Sequence, residues 1–362
     1  MPPADSPLGQ ESADAESRVR GPSLRSIAQL AGVSASTVSL ALHGSAKIPA
    51  ATRRRVRALA EKVGYRPSAK VAELMEQIRA SRGGRVLSCL GVISLYDHPR
   101  PWENSEHLRR IHDSMTAHAL RLGYRLETLW MRAPGMTYQR FRSVLDARGV
   151  QGLLCFGSPA LDDKFPAELD HYAIVTVGLS ISTPLHRVTS HIYSDTARAL
   201  EKIYQLGYRR PGLVLSTNED VRGAHTHVSA YLGWYDRRLP RSRPIPALVI
   251  DSVKDRRLGE WLKRHQPDVM VFAHIHEAAK ELCGWLHQRN IKVPEQLGVA
   301  VVSHFLEGTG FSGMQQNQAD IGSWAVELVL ARIAHQDFGI PTHPRIEMVE
   351  SEWVEGTTLK AK

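Results

Sequence analysis

The stretch SLRSIAQLAGVSASTVSLALHGS at residues 23–45, followed by TRRRV at residues 52–56, decides how the chain reads. Ser23 can cap a helix, because its hydroxyl oxygen takes a backbone N–H group that the first turn leaves without a partner. Leu24, Ile27, Ala28 and Ala31 then recur at the spacing that gathers apolar side chains on one helical face. Gly32-Val33 breaks that helix. Ser34 can cap a second short helix, with Val38 and Leu42 facing inward and Ser36, Thr37, Ser39 and Leu40 on other faces. His43-Gly44-Ser45 ends it. A third helix begins near Pro49, whose fixed φ suits a first turn. Val56, Leu59, Ala60 and Val63 form its inner stripe, and Arg53, Arg54, Arg55 and Arg57 its outer face. Two short helices joined by a glycine turn and closed by a third form a helix-turn-helix, whose second helix fits a DNA major groove. The same pattern also fits any small three-helix bundle.

Charge separates this segment from the rest. Residues 23–85 hold twelve Lys and Arg against three Asp and Glu, a net +9, whereas residues 1–22 carry −2 and the last 277 residues only +2. A cationic block favours a polyanionic partner, since each neutralised phosphate releases condensed counterions. A solvated basic face is the other reading of charge alone.

These residues resemble the headpiece of the LacI/GalR (lactose/galactose repressor) transcription factors. Ala-Gly-Val-Ser, Thr-Val-Ser, Thr-Arg-x-Arg-Val and Gly-Tyr-x-Pro occur in order and at the family's spacing, from Ser23 to Ile78. The resemblance implies that Ser34, Ala35 and Ser36 face base edges. It implies that Thr37, Ser39 and Thr52 hold phosphate oxygens, contacts that set register without reading sequence, and Arg53 belongs to the same basic face. Most family members have Arg after Thr-Val-Ser, but this chain has Leu40, and His43 stands where Asn is usual. An arginine fork on guanine gives about 1–3 kcal/mol of discrimination, whereas leucine offers only apolar contact, so the operator is expected to differ there. After Pro67-Ser68, the residues Val71, Leu74, Met75 and Ile78 recur at helical spacing. The resemblance makes this a hinge helix with Leu74 as the wedge between base pairs in the minor groove, a few kcal/mol of unstacking being offset by new contacts. A connector helix packed on the core is the alternative.

Length and composition fit this picture. At 362 residues, 43% apolar and 23% charged, the chain matches a globular protein of two or three domains. Its longest apolar stretches are strand-sized, no signal region leads it, and a cytoplasmic location with no membrane partner is expected. Residues 1–22, rich in Pro, Ser, Ala and Glu, are expected to be a disordered tail. Cys89, Cys155 and Cys283 lie far apart within apolar stretches and read as buried thiols.

From Val86 onward, strand-sized runs alternate with amphipathic ones. Strands are expected at 86–94, 126–130, 152–156, 173–177, 212–215, 247–250, 269–273 and 298–302, and helices at 106–122, 138–148, 195–206, 256–265 and 278–288. Such alternation means parallel sheets covered on both faces, and eight strands suit two sheets. More loosely, the segment resembles the periplasmic-binding-protein-like core of the same family, which implies three crossings between lobes, near Val188, Gln315 and Thr342. The expected fold is thus an all-α helix-turn-helix headpiece (23–66), a hinge helix and linker (67–85) and an α/β two-lobed periplasmic-binding-protein-like core (86–362) of two doubly wound parallel sheets.

Open parallel sheets bind ligands beyond the carboxyl ends of their strands. Those ends offer Tyr96, Asp97, His98 and Trp102, then His274, His276 and His304. The family's sugar-binding residues are replaced: His227 stands for an Arg, His274-Ile275 for Asn-Asp and His304-Phe305 for Asp-Asp. The bidentate bonds that grip vicinal hydroxyls go with them, which puts an ordinary neutral sugar in doubt. An anionic or aromatic ligand, or none at all, remains open. The doublets His225-x-His227 and His274-x-His276 raise the possibility of a metal. Without a cysteine, and at that short spacing, solvated or hydrogen-bonded histidines are the expectation, with no metal and no cofactor. The function expected is a sequence-specific regulator, repression being the family default, that binds a near-palindromic operator in double-stranded DNA as a homodimer under control of an unidentified small-molecule effector. The rivals are a solute-binding protein, a ligand-independent regulator, and an enzyme, for which no nucleophile or phosphate-cradling motif is found.

Overall fold

Residues 24–42, 48–63, 88–160, 163–273, 276–303, 306 and 308–362 are described by the computed structural model, and the chain divides into two units between residues 77 and 78. The expected tail at 1–22, His43 and the hinge segment with Leu74 lie outside the described residues, as do His274 and His304.

In the first unit, α1 (Leu24–Ala31), α2 (Ala35–Leu42) and α3 (Ala50–Lys62) enclose a small core of Ile27, Ala28, Ala31, Val38, Ala41, Val56 and Ala60. Periodicity placed all of these inward except Ala41, which is buried where Leu42, half-buried at its rim, was expected, and alanines let the helix axes approach closely. Pro49 is the N-cap of α3 rather than part of its first turn.

The second unit is the two-lobed core. Lobe 1 is built by β1 (Ser88–Ser94), α4 (Glu106–Arg121), β2 (Tyr124–Trp130), α5 (Tyr138–Ala147), β3 (Val150–Cys155), β4 (Ala173–Val177) and β5 (His186–Ser190). The chain crosses into lobe 2 at α6 (Ile192–Gln205). There it forms β6 (Pro211–Leu215), α7 (Thr217–Arg222), α8 (Thr226–Arg238), β7 (Leu248–Val249), α9 (Arg256–His265), β8 (Val269–Ala273), α10 (His276–His287), β9 (Gly298–Ser303) and β10 (Ser312–Gln315). It returns to lobe 1 with α11 (Gln318–His335) and β11 (Ile346–Val349), and ends in lobe 2 with β12 (Glu352–Val354).

The sheet orders are β11-β5-β4-β3-β1-β2 and β12-β10-β9-β8-β6-β7, and every pairing is parallel except β10 with β12. Both faces of each sheet are covered. Along β1, Leu90 and Val92 join one apolar cluster while Cys89 and Ile93 join the other, the period-two split of a doubly covered strand. Side-chain oxygens of Ser105, Thr137, Ser216, Asp255 and Asn317 cap α4, α5, α7, α9 and α11, so most helix starts are set locally.

Among the described residues there are twelve strands where the sequence suggested eight. The four added, β5, β10, β11 and β12, flank the interlobe crossings. They escaped because they are polar, glycine-containing or very short: β5 reads HRVTS yet all five residues are buried. The first two crossings fall close to Val188 and Gln315. The third lies between Val349 and Glu352, later than Thr342, because β11 is laid beside β5 first. Helices α7, α8 and α11 were also absent from the sequence reading. Cys89 and Cys155 are buried as expected, burial pushing the Cys155 thiol up to about 12, whereas Cys283 is only half-buried.

Candidate functional site

Two places concentrate chemistry: the start of α2 in the first unit and the cleft between the lobes of the second. At the end of α1, Gly32 adopts φ +62°, its N–H reaches Gln29 O at 3.3 Å, and Val33 N–H reaches Ala28 O at 3.1 Å. This pair of bonds closes a helix with a left-handed residue, a conformation that favours glycine. The chain then re-enters helix at once. Thr37 N–H donates to Ser34 Oγ at 3.1 Å, and the two hydroxyls lie 2.8 Å apart. Ser34 is exposed and Thr37 half-buried at the beginning of α2, and Thr52 and Arg53 are half-buried in the first turn of α3. The side chains of Ala35, Ser36, Ser39 and Leu40 lie outside the described residues. Arg54 and Arg57 are exposed, whereas Arg55 donates to Ala31 O at 3.0 Å and ties α3 to the end of α1. One of the four outward arginines is therefore a structural brace.

In the core, a cavity of about 540 Å³ opens at the carboxyl ends of the lobe 1 strands. Tyr96 and His98 line it after β1, Phe156 after β3 and Ser180 after β4, while Glu219 and Arg222 reach it from α7 of lobe 2. Burial pushes the Tyr96 phenol up, and the nearby Arg222 guanidinium opposes this. Of the residues singled out from the sequence, Tyr96 and His98 are at the cavity. Asp97 is exposed and off its wall, and Trp102 is buried behind it, stacked on His112 with ring centroids 4.2 Å apart. His227 also stands off the wall. It is buried between α8 and α6 with Nδ1 2.7 Å from Thr196 Oγ1, and burial lowers its pKa. Its doublet partner His225 turns to Asp220 at 3.0 Å. The two imidazoles thus have separate partners, and no cluster of metal-ligating side chains occurs among the described residues.

The residue that sequence reasoning missed is Arg222. Its Nη2 crosses from lobe 2 to donate to Ser158 O at 3.1 Å and Pro159 O at 2.7 Å, on the loop after β3. That loop is itself held: Ser158 N–H donates to Ser180 Oγ at 2.9 Å, and the Ser158 hydroxyl bonds Asp163. The signal for Arg222 lay in its position just past a strand in STNEDVRG, where a short polar helix meets the cleft.

Comparison with known proteins matches a family description in each unit. Residues 23–68 match the description "Bacterial regulatory proteins, lacI family", and residues 200–359 match "Periplasmic binding protein-like domain". The chain is 23% identical over 326 residues to the HTH-type transcriptional repressor CytR of Escherichia coli (strain K12), covering 87% of this chain and 91% of that one. Against the HTH-type transcriptional repressor PurR of Haemophilus influenzae it is 18% identical over 336 residues, covering 90% and 95%. Among solved structures, the lac repressor dimer bound to operator and the anti-inducer ONPF superposes with a TM-score of 0.58 at 18% identity, over 94% of this chain and 100% of that chain. That likeness establishes the fold: a helix-turn-helix followed by a two-sheet core.

Proposed function

We propose, for a chain that belongs to the lacI family of bacterial regulatory proteins, that it binds a near-palindromic operator as a homodimer and represses transcription, with the core cleft receiving a small-molecule effector. The observation that carries this is the α1–α2 junction. The left-handed Gly32 and the Ser34 cap turn the chain sharply into a short helix, beside α3 with its exposed Arg54 and Arg57. Such a junction presents one helix end to a groove while cations meet the flanking phosphates.

In this reading, residues 23–66 dock on DNA and residues 67–85 form the hinge that folds on the operator. Residues 86–362 sense the effector and pair the two copies. Ser34, Ala35 and Ser36 face bases. Thr37, Ser39, Thr52 and Arg53 hold the backbone, Leu40 and His43 adjust specificity, and Leu74 wedges the minor groove. Two-fold symmetry lets two short headpieces reach two half-sites. Control is a coupling free energy: an effector that prefers one lobe arrangement shifts the dimer toward or away from the state in which the paired hinges form.

Selection of bound fragments from the source genome tests this. The reading requires a recurrent near-palindrome, and an affinity that falls steeply with salt as contacted phosphates recover their counterions. Leu40→Arg is expected to move the preferred base at one symmetric position. Recovery of unrelated fragments would reject the function, and an unchanged base preference would reject the register of α2.

A further inference from the structure

The cleft contains a charge that the protein leaves uncompensated. Arg222 is half-buried, its Nη2 is spent on neutral carbonyls, and its Nε–H is buried with no hydrogen-bond partner. Among the described residues no carboxylate forms an ion pair with it. A guanidinium partly withdrawn from water without a counter-ion bears some desolvation cost, and a buried N–H without an acceptor adds to it. His98 lines the same cavity, and its buried Nε2 has no partner either. Tyr96 joins the two: its ring stands edge-on to His98 with centroids 5.9 Å apart, and Arg222 lies close enough to act on its hydroxyl. Both orphaned atoms belong to residues that line one cavity, so a small turn of either side chain brings an unpartnered polar atom to a ligand's acceptor oxygen there. The acidic residues of the wall differ from each other: Glu106 is already paired with Arg109 and Arg110, whereas Glu219 forms no ion pair among the described residues.

We infer that the cleft takes a small ligand bearing a carboxylate or phosphate monoester, seated between Arg222 and His98 with hydroxyl or amino donors turned to Glu219. Arg222 converts that contact into closure of the two lobes. The inference rests on the effector-binding role of the core and gives its ligand a chemical class. Closure follows from the two ends of one guanidinium. Nη2 already grips the lobe 1 loop at Ser158 and Pro159, so an anion drawn to Nε from the lobe 1 side strengthens a bridge that exists only when the lobes are together. Charge-assisted bonds of this kind are about twice as strong as neutral ones, and they strengthen further in a cavity that excludes water.

The test titrates the full chain with small carboxylates and phosphate monoesters, each beside its uncharged counterpart, for example gluconate and glucose 6-phosphate beside glucose, and malate beside its dimethyl ester. The inference expects calorimetric binding only from anionic members, and whether the carboxylates or the phosphate esters bind identifies the source of the anion. Arg222→Gln is expected to weaken binding at least about tenfold, and Arg222→Lys to retain part of the affinity. Small-angle scattering is expected to show contraction of the wild-type core on binding, and none in Arg222→Gln even at saturation. His98→Phe, which keeps the ring and removes the polar atom, is expected to weaken binding by a smaller factor. An uncharged compound that binds wild type and Arg222→Gln alike and alters operator affinity would overturn the inference and leave the effector reading standing. Anion binding without contraction, or indifferent to Arg222, would overturn it too. If no compound of either class binds a protein that still holds its operator, the inference and the effector reading fail together.

Discussion

The three-helix unit and the crossing region of the core solve the same problem with opposite materials. In the first, helices are positioned by apolar periodicity, a left-handed glycine and a serine cap, and the buried side chains are Ile, Val and Ala. In the second, the strand and the helix start at the first passage between lobes, β5 and α6, bury polar side chains. Arg187 is buried and donates to Ile181 O and Thr183 O, and His186 bridges Asp337 and the Arg345 N–H. Asp195 is fully buried at the start of α6, where neither its carboxylate oxygens nor the Ser351 hydroxyl makes a well-formed hydrogen bond. An apolar core fixes one arrangement through close packing. At the first crossing the buried Asp195 carboxylate is held at a cost that an apolar core does not bear.

Four substitutions sharpen or break that contrast. The largest effect is expected at Gly313, where an added Cβ would fall 1.8 Å from the Val301 carbonyl oxygen and force β10 off β9. Gly313→Ala is expected to lower core stability by about 3 kcal/mol or more, measured by urea unfolding. A wild-type midpoint would mean that the crossing strands tolerate displacement without loss.

Next comes Asp195, whose carboxyl is pushed up to about 6 by burial. The unfolded chain loses this proton near the ordinary carboxylate pKa, so between the two values the folded state holds more protons. Stability is therefore greatest in acid and is shed as pH rises through the folded value, by about 3 kcal/mol in all. Asp195→Asn is expected to flatten this fall and to be more stable than wild type at pH 8. Parallel unfolding curves for the two proteins across the range from about pH 4 to about pH 8 would show that the carboxyl carries no such strain.

Two smaller effects belong to the three-helix unit. Val56→Ala, at a fully buried position, is expected to cost about 2 kcal/mol and to weaken DNA binding while leaving core unfolding unchanged. Gly32→Ala meets no atom within 4 Å, so its penalty is conformational alone, about 1 kcal/mol. Loss of core stability in either variant would break the separation between the two units.

The sequence revealed much of the three-helix unit because every determinant there is local: a stripe, a cap, a glycine. It revealed the central strands of both sheets for a related reason, since strands covered on both faces are continuous apolar runs. The polar crossing strands had no such mark. HRVTS reads as a loop until Gly178, Ile181 and Thr183 are seen to supply carbonyls to Arg187. Of the cleft residues singled out, Tyr96 and His98 reached the cavity. Asp97 and Trp102 follow the same strand but point elsewhere, because strand ends indicate a region and not a side-chain direction. Arg222 was hidden because its role depends on carbonyls more than sixty residues earlier in the chain.

The most direct test of the account compares two duplexes, a genomic fragment recovered by selection and a shuffled sequence of the same composition. Affinity of the full chain for each is followed by fluorescence anisotropy across a salt series. The account predicts that the selected fragment is preferred at every salt concentration, by about a thousandfold or more, while both affinities fall as salt rises. Equal affinity for the two duplexes throughout the series would contradict it.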